Sequence, residues 1–183
     1  MALRKVAVMG NPILREVAAP VPVKEIASER IQTLIGDMVE TMFEYDGRGL
    51  AAPQIHESLQ VVVMLWDFDA GKEAYLKVLI NPEIEFLTQK TSTYAEGCLS
   101  VPGLTGDVSR PNHIRVKAYN EKGEKTEFEA QGFAATVIQH ECDHLIGKLY
   151  LDRMKDLKRL GFSKEYGRFL AQETTRNPRP EGD

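Results

Sequence analysis

The stretch Gln139-His140-Glu141-Cys142-Asp143-His144-Leu145-Ile146-Gly147 limits what this chain can become more than any other. Two imidazoles stand four positions apart, with a carboxylate directly after the first. On a helix, residues i and i+4 share one face, so both rings can reach one metal ion. Glu141 then falls at the rim of that site, placed to take a proton from a water held there. The pattern predicts a helix over Gly132–Ile146, with Phe133, Val137 and Cys142 among its non-polar positions and Gly147 as its stop. The motif supplies two ligands only, and the third decides the chemistry.

Cys98 is the best candidate for that third ligand. It lies in Glu96-Gly97-Cys98-Leu99-Ser100, where a glycine ahead of the thiol permits close backbone approach. Two imidazoles and one thiolate leave a fourth position open on a tetrahedral ion, the mark of a catalytic site. The competing reading of Cys98 is a small buried hydrophobe, and the two-histidine helix weighs against it. Cys142 is the reverse case: two positions from each histidine, it points off the metal face and is assigned to the core. His56 and His113 have no matching partner and are read as surface or packing residues. Asp143 is a candidate to orient a ligand imidazole or cap a backbone group, with a solvated acid as the alternative. The glycine-rich loop Gly47 to Gln54 is the third element. Its Gln54 would bring an amide N–H to a developing oxyanion; a plain helix-to-strand connection is the bland reading.

Around these segments, 183 residues suffice for one domain with a real core. A net charge of −4 without a Lys/Arg block argues against nucleic acid as ligand. The apolar runs, Val61 to Trp66 being typical, are too short to cross a bilayer. No apolar signal core follows Arg4 and Lys5, and the two cysteines suit a reducing compartment, so a cytoplasmic location is expected. An extended arm is predicted for Gly10 to Val23, and a helix for Ile26 to Tyr45 with Ser28 near its N-cap. Strands are predicted at Leu59–Leu65, Tyr75–Ile80, Ile84–Leu87 and Thr91–Ala95. A hairpin follows, His113–Tyr119 and Lys125–Ala130 about the turn Asn120–Gly123. Lys155 to Leu170 reads as a further helix broken near Gly161. The expected class is α+β, mostly antiparallel sheets packed around the central motif-bearing helix, with an N-terminal helix and a C-terminal segment. Residues 1–173 would form a single catalytic domain and 174–183 a flexible tail.

Gly47 to Gln54, Glu96 to Ser100 and Gln139 to Gly147 resemble, in order and spacing, the three signature motifs of the peptide deformylases. Gly10-Asn11-Pro12-Ile13-Leu14-Arg15 also resembles that family's N-terminus, so the likeness spans roughly residues 5 to 155. The resemblance implies that Cys98, His140 and His144 hold one divalent metal, ferrous iron in the cell, with zinc, nickel or cobalt able to replace it. It implies removal of the formyl group from the formyl-methionine end of newly made polypeptides, with the ribosome near its exit tunnel as a further partner. Glu141 would act as general base and then acid, and the Gln54 side chain and Leu99 N–H would stabilise the oxyanion. Gly49 and Gly97 would pair with the substrate backbone, Val137 would line the methionine pocket, and Glu96 and Arg110 would brace the cysteine loop.

Two residues depart from the family pattern. Arg48 stands where relatives usually have an aliphatic residue, and Thr105 where many bacterial relatives carry arginine. The expectation for Arg48 is a place at the pocket rim, reaching the substrate further along. Two other readings share the helix motif: a zinc peptidase, which usually takes its third ligand downstream, and a catalytically silent relative that binds nascent chains or the ribosome.

Overall fold

In a computed structural model the chain is described over residues 2–68, 71 and 73–171. The expected tail, 174–183, lies outside the described residues. Helix α1, Glu29–Glu44, begins where expected: Ser28 is extended and its hydroxyl accepts the Ile31 N–H at 3.4 Å. Ile31, Leu34, Ile35, Met38 and Met42 recur at helical spacing and are all buried. They pack on a five-stranded antiparallel sheet of order β1-β2-β3-β6-β7. Its strands are β1 (Gly49–Ala51), β2 (Val61–Trp66), β3 (Tyr75–Phe86), β6 (His113–Tyr119) and β7 (Lys125–Gln131). The strands between β3 and β6 in sequence, β4 (Thr91–Cys98) and β5 (Val101–Pro111), join the late strand β8 (Leu160–Phe162) in a second sheet of order β4-β5-β8.

Strand β2 explains why its valine run carries no polar alternation. Val61 and Val63 face α1, while Val62 and Met64 face the cluster that holds Ala134, Ala135 and Ile138 of helix α2, Gly132–Leu145. A strand covered on both faces reads as continuously apolar. Helix α2 therefore lies across the sheet from α1. It stops where expected, with Gly147 at φ +69, and a Cβ there would fall 2.5 Å from the Arg15 carbonyl oxygen. Only glycine meets both the backbone angle and the close approach of the N-terminal arm.

That arm runs extended apart from one turn, Pro12–Arg15, and straps two distant loops together. Ala7 N–H donates to the Gln54 carbonyl at 2.7 Å and Met9 N–H to the Ser100 carbonyl at 2.7 Å. Expectation and structure differ in four places. The two strands expected at Tyr75–Ile80 and Ile84–Leu87 form one, β3, with an irregularity between Ile80 and Glu83. There Asn81, at φ +51, uses its side-chain amide to bind both Val21 backbone groups at 2.8 Å, fixing the arm. Strand β5 went unread because Pro102, Gly103, Gly106 and Pro111 resemble loop punctuation, although the prolines sit near the strand ends where they are tolerated. The short β1 lay hidden inside the glycine-rich loop. In place of a helix over Lys155–Leu170 there is a turn at Leu157–Arg159, then β8, then helical turns over Ser163–Leu170. Pairing with β5 outweighs local helical preference in that segment.

β1 and β4 are the outermost strands of their sheets. Both border one cleft, so each sheet presents a free backbone edge toward it.

Candidate active site

The cleft has a volume of about 730 Å³ and lies over α2. Of the ten residues singled out in the sequence, nine line it: Arg48, Gly49, Gln54, Gly97, Cys98, Leu99, Val137, His140 and Glu141. His144, 1% exposed, lies behind them. One ligand atom each from Cys98, His140 and His144 fall within 4.8 Å of one another, and Cys98 Sγ is 3.4 Å from His144 Nε2. A tetrahedral ion with bonds of about 2.1 Å to nitrogen and about 2.3 Å to sulfur needs its ligands roughly 3.5 Å apart. The donors and their spacing fit such an ion. Cys142, half-buried, packs against the core cluster beneath α2 instead, and burial holds its thiol well above the ordinary cysteine range. His56 is exposed and His113 sits 2.8 Å from Glu129, both as expected.

The carboxylate bonded to a candidate ligand ring is Glu96, not Asp143. Glu96 Oε2 lies 2.7 Å from His140 Nδ1, which leaves Nε2 of that ring for the site. Arg110 grips Glu96 through two bonds, at 2.6 and 3.0 Å, and reaches Asp143 at 2.7 Å. Asp143 is in turn held by Arg153 at 2.5 Å. Burial by itself would raise the Glu96 carboxyl; hydrogen bonds from His140 and Arg110 outweigh it and hold the group below its usual range. Asp143 behaves likewise, with Arg153 and Arg110 outweighing its burial. A fully buried tyrosine, Tyr150, stacks on His140 with ring centroids 6.1 Å apart.

Glu141 stands beside the candidate ligands, with burial pushing its carboxyl up to about 7, a value suited to taking and returning a proton near neutral pH. Its Oε2 is buried with no hydrogen-bond partner among the described residues. β1 passes so close that a Cβ on Gly49 would lie 2.7 Å from Glu141 Cδ. Glycine is thus required at position 49 for the carboxylate to keep its place.

Gln54, 2% exposed, comes from the turn Ala52–Ile55. Its Oε1 accepts the Ala51 N–H at 2.8 Å, which fixes the amide so that Nε2 faces the site, 3.2 Å from Ser100 Oγ and 3.6 Å from Cys98 Sγ. The amide is a preset donor beside the candidate metal. Sequence reasoning missed Ser100, Tyr150 and the Glu96–His140 contact. Ser100 had a usable signal, being two residues after Cys98; the other two contacts depend on tertiary placement alone. Arg48 sits at the rim with Nη1 2.6 Å from Asp67 Oδ2, half-exposed. Thr105 bonds Ser163 across the small sheet.

The ligand group departs from the zinc-peptidase arrangement, because its third member lies upstream of the helix, at the end of β4. Among the described residues no downstream carboxylate or imidazole joins it. The family model "Polypeptide deformylase" matches residues 3–160. A peptide deformylase of Leptospira biflexa serovar Patoc is 43% identical over 170 residues, covering 90% of this chain and 95% of the relative. The peptide deformylase of Pseudomonas aeruginosa is 44% identical over 159 residues, 87% of this chain and 91% of the relative. Among solved structures, a class I type b peptide deformylase of Acinetobacter baumannii with Met-Ala-Ser bound superposes with a TM-score of 0.78 at 37% identity, covering 84% of this chain and 99% of that one. With the same three segments converging on one cleft in a fold shared at this identity, the chain belongs to the polypeptide deformylase family.

Proposed function

We propose that this chain hydrolyses the N-formyl group from the formyl-methionine end of newly synthesised polypeptides, releasing formate and a free N-terminus. The observation that carries the reading is the convergence of Cys98, His140 and His144 with a buried carboxylate and a fixed amide donor in one cleft bordered by two open strand edges. A divalent ion held by those three residues would polarise the formyl carbonyl and make a water molecule acidic enough to attack near neutral pH. We infer ferrous iron in the cell, with zinc, nickel or cobalt as replacements; a mixed thiolate–imidazole set accommodates each of them.

The protein's own groups do the rest. Glu141 takes the proton of the attacking water and returns it to the departing amine, first base and then acid. Gln54 Nε2 and the Leu99 backbone N–H donate to the oxyanion that forms at the formyl carbon. The substrate backbone lies between the free edges of β1 and β4, pairing at Gly49 and Gly97 as an added strand. Its methionine side chain enters the apolar part of the cleft beside Val137. The bound Met-Ala-Ser of the Acinetobacter relative is what such a reaction leaves behind, which supports the peptide assignment. Arg48 stands at the rim to meet the peptide further along. We assign the activity to one unit, residues 1–173, acting in the cytoplasm on nascent chains near the ribosomal exit. Among the described residues no helix is long and apolar enough to cross a membrane.

The test compares formate release from a formyl-Met peptide with cleavage of an internal peptide bond in an unformylated one. Formate release without internal cleavage is expected. Internal cleavage without formate release would move the chain to the peptidases, and neither activity would leave a binding protein.

A further inference from the structure

The C-terminal segment enters the wall of the cleft. β8 pairs with β5, placing Gly161 opposite Thr105, while Thr105 on its other side is opposite Gly97 of β4. Ser163 follows β8 directly, is exposed, and lines the cleft. Its hydroxyl lies 2.8 Å from Thr105 Oγ1, and a Cβ on Gly97 would lie 3.9 Å from that same oxygen. Two hydroxyls therefore stand beside the backbone that leads into Cys98. Buried bonds hold the segment on either side of Ser163. Before it, Arg159 donates to Asp107 at 2.8 Å and to the Leu170 carbonyl at 2.9 Å; after it, the Tyr166 hydroxyl donates to Asp107. Asp107, Arg159 and Tyr166 are all buried.

We propose that Ser163 and Thr105 form a polar rim that contacts the substrate beyond its methionine, and that Asp107, Arg159 and Tyr166 are the positioning residues that hold Ser163 there. The proposal rests on the deformylase reading. A peptide with its formyl carbon at the metal and its backbone along Gly97 advances about 3.3 Å per residue, so residues after methionine pass the hydroxyl pair. Hydroxyls donate and accept, which suits a backbone amide or a polar side chain at those positions. Sequence alone offered no route to this rim, since Ser163 reaches it only through the pairing of β8.

The experiment measures KM on metal-loaded enzyme for formyl-Met-Ala and formyl-Met-Ala-Ser in wild type, Ser163→Ala, Ser163→Thr and Tyr166→Phe. Losing one hydrogen bond to the longer peptide raises the tripeptide-to-dipeptide KM ratio roughly three- to tenfold in Ser163→Ala. Tyr166→Phe gives a rise in the same direction, and Ser163→Thr, which keeps the hydroxyl, stays at the wild-type ratio. A wild-type ratio in Ser163→Ala overturns the proposal while wild type remains active. Should Tyr166→Phe fail to fold, Ser163→Ala, which removes one exposed oxygen, still decides. A wild type that releases no formate from either peptide overturns the deformylase reading and the proposal with it.

Discussion

Two buried arginines, Arg110 and Arg159, are both tied to the small sheet, at 4% and 8% exposure, and they serve different ends. Arg110 grips Glu96 and Asp143, and Glu96 passes the contact on to His140. Arg159 grips Asp107 and the carbonyl of Leu170. The chemistry is the same in each: a guanidinium fork satisfying a carboxylate away from water. Distance from α2 separates them. The first cluster orients His140, a candidate metal ligand, whereas the second fastens a chain segment that, among the described residues, enters the cleft at Ser163. A buried ion pair is thus a fastening, and its function is set by what its far side touches.

Arg110→Met should have the largest effect. It leaves Glu96 buried without its arginine, while Asp143 keeps Arg153, so a loss of about 3–5 kcal/mol in urea unfolding is expected, along with poor metal retention. Intact metal content in a folded Arg110→Met protein would break the contrast. Asp107→Asn, the matching change in the other cluster, should cost about 2 kcal/mol in the same assay and leave metal content at the wild-type level. Equal metal loss in both variants would show that the clusters are not separate.

Asp143→Asn sharpens the first cluster through pH. The folded-state value of Asp143 is lowered by Arg153 and Arg110, so its stabilising contribution is present above the unfolded value of about 4 and lost as pH falls through the lowered folded value. The stability gap between wild type and Asp143→Asn should therefore be widest near neutrality, about 1–2 kcal/mol, and close on acidification. A gap constant from neutral pH into the acid range would exclude the charge as its source. The smallest effect belongs to Arg48→Ile at the rim. Its pair with Asp67 is exposed and worth under about 1 kcal/mol, so melting should barely move. KM for longer formyl peptides should change by more than that for the shortest, and identical kinetics across lengths would remove Arg48 from the substrate path.

The same contrast shows how much was legible in the sequence. His140 and His144 could be read together because helical periodicity alone places them on one face. Cys98 and Gln54 needed their surrounding motifs as well, being far from the helix in sequence. Glu96 was visible as a partner of Arg110, yet its bond to His140 arises only because β4 runs alongside α2. Asp143, closer to the histidines in sequence, was the natural but wrong choice for that role. Strand β5 was masked by its own prolines and glycines, and β8 by a local preference that pairing with β5 overrides. Local periodicity is written in the chain; contacts across two sheets are not.

On the proposed reading, Glu141 moves the proton at a metal site built by Cys98, His140 and His144. The most direct test is formate release from formyl-Met-Ala-Ser by Glu141→Ala, with bound metal measured on the same sample. Metal content at the wild-type level with a rate lowered by about 10²-fold or more is the expected result. A metal-loaded Glu141→Ala protein as fast as wild type would contradict it.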